Sequence, residues 1–543
     1  VHFEFGITLG DRSIDTLPMA ALCWPGKVKP KGLKSLCDEF IDSQLSEADH
    51  LLHARFVDLF TAQKPRKTPL LPKNFEPGVS TCRQPKKKGQ AKCQNLSWVG
   101  SLCGYCEEHY LARKVTKEAE TWGWRNIDLH DPLFLRYAGL DAIYVRRLLD
   151  ILASEVGRRK MNRLSKTEQR IKRYMTSTSL KGMRVDRDWT EDILDEVEKE
   201  FAEAEENVEL LTGLKPRSNY MKGWFIDHGA KVSSLDKDHL PGLIEKYGED
   251  ATLGPVLDNI ATVSKLSNLL TNLRTIRLHA TEGDGFVHPN INTLQAHTGR
   301  MSVTAPAMQT LAKKGEKGER LRGCFIAREG HVLVGADYDS QEIRLAAALS
   351  RDEALMRIVM EGLNQHVLTA ENIFPDWVDK ATNPDHYAKA KVLDFAQQYG
   401  ARPKKIAATL KITPREATIL WQKWRHAYAG LVKWSDEQAR QRYVRNPFGR
   451  LIPRDPYRDY ANANYLIQSS GRDVLGEALC RLADAGWAEF FWLPIHDELV
   501  MEVPEERADE ACAALTEHMT TEVLGVPIPA EGEIVGKRWR GLG

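Results

Sequence analysis

Residues 331–350, HVLVGADYDSQEIRLAAALS, decide the fold class. The apolar run 332–334 predicts a buried strand, and Ile343, Leu345 and 346–349 then take helical spacing. Asp337 therefore falls at the end of a strand, where a ligand can approach. An isolated Asp in that place more often caps the next helix, so its carboxylate needs a partner before it signifies chemistry.

The partner lies in 488–504, AEFFWLPIHDELVMEVP. Runs 490–493 and 499–503 are rich in β-formers and flank a short polar turn, which predicts a hairpin with His496, Asp497 and Glu498 at or beside its bend. If Asp337 and Asp497 face each other, their repulsion requires a cation, and oxygen-only ligands select Mg²⁺ or Mn²⁺ over zinc. A pair of such ions would activate an attacking hydroxyl and stabilise leaving pyrophosphate in an in-line phosphoryl transfer. Between the two sites, 386–400 reads HYAKAKVLDFAQQYG. Lys391, Phe395 and Tyr399 are spaced i, i+4, i+8 and share one helix face, drifting only about 40° per step. Such a face is usually a core stripe with a snorkelling Lys, but a cation beside ring faces also suits a nucleoside triphosphate.

The whole chain sets the frame. Its 543 residues are enough for roughly three to five domains. With 42% apolar and 28% charged residues it reads as a globular chain rather than a disordered or membrane one, and no apolar run approaches the ~18 residues of a membrane span. Lys+Arg exceed Asp+Glu by 76 to 75, so any nucleic acid must be held by local basic patches. One such run, 157–173, carries Arg158, Arg159, Lys160, Arg163, Lys166, Arg170, Lys172 and Arg173, and is either a solvated helix face or a phosphate-binding strip. Helical patterns over 187–212 and 256–279, with sparse core positions, predict a protruding arm. Nine Cys are too few for a disulfide scaffold. Four of them gather in the basic segment 77–114 as Cys82, Cys93, Cys103 and Cys106, with His109 close behind. A structural zinc would take four of these five ligands; free thiols are the alternative.

In combination these motifs resemble family A DNA polymerases of the bacterial repair and phage replicative type, over most of 182–504. Residues 337–344, DYDSQEIR, are similar to the first palm motif, with departures at Asp339 and Gln341. Lys391, Phe395 and Tyr399-Gly400 resemble the fingers helix, and His496-Asp497-Glu498 the second palm motif. Thr298-Gly299-Arg300, Gln309, Arg322 before Phe325, His366, and Asn464 with Gln468 match in order.

The resemblance implies an α/β multidomain right hand: thumb 156–284, palm 285–350 and 451–543, fingers 351–450. It implies that Asp337, the Tyr338 backbone and Asp497 bind two Mg²⁺ (or Mn²⁺) ions with Glu498 nearby, and that Lys391 binds the triphosphate and protonates pyrophosphate. Arg322 and His366 would contact the phosphate tail, and Phe395 the incoming nucleotide. Tyr399 would guard the insertion site, and Glu342 would sit under the sugar. Arg300, Gln309, Asn464, Gln468 and His496 would contact DNA, most of them at the primer end and the minor-groove edge of the nascent pair. Where the family usually carries a phosphate-gripping Arg, four residues before the Lys, this sequence has Tyr387; Lys389, His386 and Arg402 are candidate substitutes.

Residues 1–155 resemble the end of a 3′–5′ exonuclease domain of α/β type carrying the Cys-rich insertion. Tyr137 and Asp141 match its third motif, with the earlier motifs expected before Val1. No proofreading is expected of the chain as it stands. The expected partners are primer-template DNA, deoxynucleoside triphosphates and a processivity or replisome factor, for a monomer in the cytoplasm of a bacterium or an infected host. Two readings compete with DNA synthesis: a single-subunit RNA polymerase on the same palm, and a nucleic-acid scaffold that no longer catalyses.

Overall fold

The computed structural model describes residues 14–24, 33–63, 77–81, 96–98, 107–237, 239–294, 296–313, 315–398, 400–455, 457–540 and 542. The chain divides into two compact units, one formed by Val1–Cys23 with Lys27–Arg159, the other by Trp24–Gly26 with Lys160–Gly543.

In the first unit the described residues form helices Thr16–Cys23, Leu33–Phe40, Gln44–Gln63, Glu107–Asn126 and Pro132–Arg158, plus one antiparallel strand pair, Pro77–Thr81 with Leu96–Trp98. Leu45, Leu52, Phe56, Tyr144, Leu148 and Leu152 are buried among these helices. The α/β exonuclease-like layout expected here is not seen in the described part, which is helical apart from that pair. Cys82, Cys93, Cys103 and Cys106 lie outside the described residues, as does the side chain of His109.

The second unit opens with α1 (Asn162–Lys181), α2 (Arg187–Thr212) and α3 (Leu253–Glu282). Asp186 caps α2 by accepting from Trp189 N, and Gly213 at φ 69 ends it in the left-handed conformation that glycine adopts without Cβ strain. The two long helices pack along each other. The expected sparse core is wrong for α3, which buries Leu266, Leu269, Leu270, Leu273 and Ile276 in a continuous row. At the far end a separate core gathers Val208, Met221, Phe225, Leu257 and Ile260. Half of the basic run is held in ion pairs: Arg158 and Arg159 pair with Glu155, Arg163 with Glu477 and Arg170 with Asp484.

The centre of this unit is a four-stranded antiparallel sheet of β1 (His331–Tyr338), β2 (Phe491–Ile495), β3 (Glu498–Pro504) and β4 (Ala530–Gly536), ordered β2-β3-β1-β4. The run that read as a buried strand is central: Val332, Leu333, Val334 and Ala336 are all buried. The hairpin read from 488–504 is β2–β3, with register Ile495↔Glu498 at its mouth. After β1 the chain enters α4 (Gln341–Ser350), α5 (Gln365–Ile373), α6 (Pro384–Gln398) and α7 (Pro414–Ala427), then α8 (Asn462–Asp484) and, after the hairpin, α9 (Ala508–Met519). α9 covers β1 and β4, α8 packs on α1, α4 and α9, and α5, α6 and α7 pack on one another. Beside the sheet, Trp539 meets Trp492 at 5.2 Å and Phe325 at 5.6 Å edge to face.

A buried ionic cluster ties α1 to α8. Glu168 accepts from Arg450 and, at 2.6 Å, from Arg472, and Asp473 pairs with both arginines. Arg472 Nε also donates to the Gly299 carbonyl at 3.0 Å, which fixes the loop carrying Arg300. No described helix is long and apolar enough to cross a membrane.

Candidate active site

Asp337 and Glu498 face each other directly across β1 and β3, and Glu531 of β4 pairs with Asp337 on the other side. Tyr338 N donates to the Asp497 carbonyl at 3.3 Å, so Asp497 sits at the same sheet end. Two turns hold this end. Ser340, between β1 and α4, has φ 51, and His496, at the hairpin bend, also has φ 51. Each is a non-glycine residue in the left-handed region, a conformation that costs roughly 1–3 kcal/mol and concentrates at functional sites.

Like charges directly opposite in a sheet destabilise it. Partial relief comes from Lys313, whose Nζ donates to Asp337 Oδ2 at 2.8 Å and lies 3.7 Å from Glu498 Oε2. Burial pulls the Lys313 pKa down, but the bond to Asp337 and the charges of Asp337, Glu498 and Asp497 together outweigh it, and the net shift is upward. Arg322 is buried against the Trp539 ring at 4.4 Å, its Nη1 4.0 Å from Glu498 Oε1. Even so, Asp337 Oδ1 and Glu498 Oε1 are buried with no hydrogen-bond partner. Burial, reinforced by the Asp337 charge, pushes Asp497 up to about 6. Burial pushes Glu498 up to about 7 against the pull of Lys313 and Arg322. Orphaned carboxylate oxygens at one sheet end fit a hard divalent cation. Among the described residues no three His, Cys, Asp or Glu side chains converge as a complete ligand set. The site is thus of the partial kind, in which one or two carboxylates leave the remaining positions to substrate oxygens and water.

A cavity of about 620 Å³ runs from this sheet end to the helices beyond it, lined among others by Asp497, Glu342, Asn464, His366, Phe395 and Arg402. It brings together these six residues, all singled out from sequence. His366, on α5, is oriented from behind by Asp394 of α6. That buried carboxylate receives His366 Nδ1 at 2.7 Å, Thr369 Oγ1 at 2.8 Å and Trp424 Nε1 at 2.8 Å. Because a carboxylate only accepts, Nδ1 carries the proton and Nε2 is left free of this bond. Burial raises the Asp394 pKa despite these bonds. Lys391 and Phe395 are exposed on α6, and Lys391 makes no ion pair among the described residues. Tyr399 lies outside the described residues.

Other expected residues are engaged internally. Arg300 Nη2 donates to Glu342 Oε1 at 2.6 Å, and Gln309 Nε2 to the Pro494 carbonyl at 2.8 Å. Asn464 keeps a buried, unpartnered Oδ1. Gln468 is half-buried on α8, one helical turn from Asn464. Of the substitutes for a phosphate-gripping Arg, His386 stacks on Phe374 at 4.2 Å and Lys389 interacts electrostatically with Glu416. In the first unit, Tyr137 and Asp141 stand one turn apart on Pro132–Arg158, with Lys34 Nζ 5.1 Å from the Tyr137 ring centre. The sequence reading missed Lys313, Asp394 and the Glu168 cluster. Lys313 is visible in the sequence, but its approach to Asp337 depends on tertiary folding.

The sequence profile of DNA polymerase family A matches residues 219–541. The chain belongs to DNA polymerase family A. The polymerase is 30% identical over 452 residues to the DNA polymerase of Mycobacterium phage D29, a match covering 80% of this chain and 72% of the relative. It is 29% identical over 437 residues to that of Mycobacterium phage L5, covering 77% and 69%. The thermostable DNA polymerase I of Thermus thermophilus is 28% identical over 439 residues, with this chain spanning 51% of its length. Among solved structures, the POL domain of Pol1 from M. smegmatis, in complex with DNA primer-template and dNTP, aligns with a TM-score of 0.66 and 25% identity over 74% of this chain and 75% of that one. The polymerase is a template-directed DNA polymerase, the first of the three activities the sequence left open. Members of the family generally use divalent metals.

Proposed function

We propose that the sheet end carrying Asp337, Asp497 and Glu498 is the palm catalytic centre, and that the exposed face of α6 receives the deoxynucleoside triphosphate. The observation that carries this reading is the opposition of Asp337 and Glu498 with unpartnered oxygens, continuous through Asp497 with the cavity that holds Glu342, His366 and Phe395. Asp337, Asp497 and the Tyr338 carbonyl would hold Mg²⁺ or Mn²⁺. Bound there, the ions would activate the primer hydroxyl and neutralise charge on leaving pyrophosphate.

The chain's own residues do the rest. Lys391 attracts the triphosphate and donates a proton to pyrophosphate, His366 offers Nε2 to a phosphate oxygen, and Phe395 presents a ring to the nucleotide. Glu342, held by Arg300, stands where a 2′-hydroxyl would meet it. Gln309, Asn464, Gln468, His496 and, once released from Glu342, Arg300 would contact primer-template DNA, the ligand held by the M. smegmatis relative. Arg322 supports Glu498 by charge. On this reading 156–284 is the thumb, 285–350 with 451–543 the palm and 351–450 the fingers. Residues 1–155 would be a partial exonuclease-like domain in which four of Cys82, Cys93, Cys103, Cys106 and His109 bind a structural zinc; metal analysis without zinc would reject that site.

Primer extension with Mg²⁺ on a defined template tests the centre. Asp337→Asn and Asp497→Asn should each abolish extension and leave primer-template affinity nearly unchanged, because each removes a metal ligand but few phosphate contacts. Extension by either variant at the wild-type rate would overturn the assignment.

A further inference from the structure

Tyr387, Lys391 and Phe395 repeat at i, i+4, i+8 on α6 and so share one face, spanning about 12 Å of helix. The His366 ring lies 5.9 Å from Tyr387, edge-on at 81°, and 5.7 Å from Phe395, so it bridges this face across the turn that carries Lys391. At the N-terminal end of the row, Lys380 places its Nζ 4.8 Å from the centre of the Tyr387 ring.

The turn that presents Lys380 is pinned on both sides. Asp379 Oδ1 accepts from Thr382 N at 2.7 Å, and Asn383 Oδ1 accepts from Val378 N at 2.8 Å. Phe374, where this segment begins, stacks on His386 of α6 at 4.2 Å and 5°. Lys380 makes no ion pair among the described residues, so its charge is held beside the ring and remains available. A nucleotide whose base and sugar lie toward Phe395 and whose phosphates pass Lys391 runs toward the helix N-terminus, the end that favours negative charge. The next cation on that path is Lys380.

We propose that Lys380, laid across the Tyr387 ring, grips the far end of the incoming triphosphate. The ring supplies no charge of its own; its face attracts a cation and so biases where a mobile lysine rests. Tyr387 is thus a positioning residue and Lys380 the phosphate ligand. This rests on the reading of α6 as the nucleotide face.

The test is single-turnover primer extension by the full chain across a range of dTTP concentrations, separating nucleotide Kd from the maximal rate. Lys380→Ala should raise the Kd about tenfold, the equivalent of one charge-assisted phosphate contact, with little change in maximal rate. Tyr387→Phe should keep the wild-type Kd, Tyr387→Ala should raise it, and the double Lys380→Ala/Tyr387→Ala variant should be no worse than Lys380→Ala alone. A Kd within threefold of wild type in Lys380→Ala overturns the proposal, as does a loss in Tyr387→Phe equal to that in Tyr387→Ala. Arg402→Ala is run beside them, and a large Kd increase there with Lys380→Ala silent would place the grip on Arg402. Lys391→Ala separates the two levels: if it leaves both Kd and rate unchanged, the nucleotide-face reading fails; if it is impaired while Lys380→Ala is silent, only the present proposal fails.

Discussion

The sheet end and the α6 face hold opposite charges in opposite settings. Asp337, Asp497 and Glu498 are carboxylates drawn together at one sheet end, with buried oxygens of Asp337 and Glu498 short of partners, and burial shifts Asp497 and Glu498 up in pKa. Lys391 and Lys380 are cations on the surface, without ion pairs among the described residues, arranged by helical spacing and a pinned turn. The first region is built in advance and carries electrostatic tension that a cation relieves. The second is an open face whose order comes from its scaffold, so its ligand has to arrive to complete it. Loss of a group should therefore be felt in the rate at the sheet end and more in nucleotide affinity on α6.

The largest expected effect breaks the comparison at its buried end. Asp337→Asn and Asp497→Asn should each lower the maximal extension rate by at least about 10³-fold, comparable to the removal of preorganised charge stabilisation elsewhere. A filter-binding measurement should find primer-template affinity close to wild type. Next comes Lys391→Ala, where losing a general acid and a phosphate cation together should cost about 10²-fold or more in rate as well as affinity. If rapid-quench kinetics gave an effect on affinity alone, Lys391 would belong wholly with Lys380.

A smaller effect tests whether the α6 face is as scaffold-dependent as its geometry implies. Asp394→Asn removes the charge that three donors share and lets His366 rotate or change tautomer. We expect a nucleotide KM about tenfold higher with a lesser change in kcat. In ¹⁵N spectra the His366 Nδ1–H signature should be lost, whereas a purely structural role would leave the tautomer unchanged and lower the melting temperature instead.

The mildest effect concerns stability and carries a definite sign. Asp497 and Glu498 titrate higher in the folded chain than in the unfolded one, so between the ordinary carboxylate range and about pH 6–7 the folded state binds more protons. Stability of the metal-free polymerase should therefore be greatest at the acidic side of that window and fall as pH rises through it. Urea unfolding in EDTA at several pH values measures this. Added Mg²⁺ should stabilise the protein more at pH 8 than at pH 5, and Asp497→Asn with Glu498→Gln should flatten the slope.

Much of this was legible in the sequence because its causes are local. The run at 332–334 and the β-rich pair around His496 specify a strand and a hairpin by themselves, and four-residue spacing places Lys391 and Phe395 on one face. The antiparallel register then brings Glu498 opposite Asp337. Lys313, by contrast, sits in a loop and reaches Asp337 only when the chain folds back beside β1. Asp394 carries no signal of its own in the sequence; its meaning comes from His366, Thr369 and Trp424 on two other helices. The resemblance makes Arg300 and Gln309 DNA contacts, whereas the fold has them donating to Glu342 and to the Pro494 carbonyl. Such assignments depend on which partner is present, and spacing alone carries no information about that.

The cluster of Glu168, Arg450, Arg472 and Asp473 has a consequence for how such a sequence can drift. Its two negative and two positive side chains balance, all four buried. Losing any single member leaves an uncompensated charge in the interior at a cost of roughly 3–5 kcal/mol, a large part of the ~5–15 kcal/mol by which proteins are usually stable. Replacing an opposite pair with apolar residues of similar volume can be nearly neutral. Accepted substitutions there should come in couples, each conditional on the other. A lineage that has assembled the cluster would be held to it by the lethality of the intermediate steps rather than by the worth of the finished arrangement.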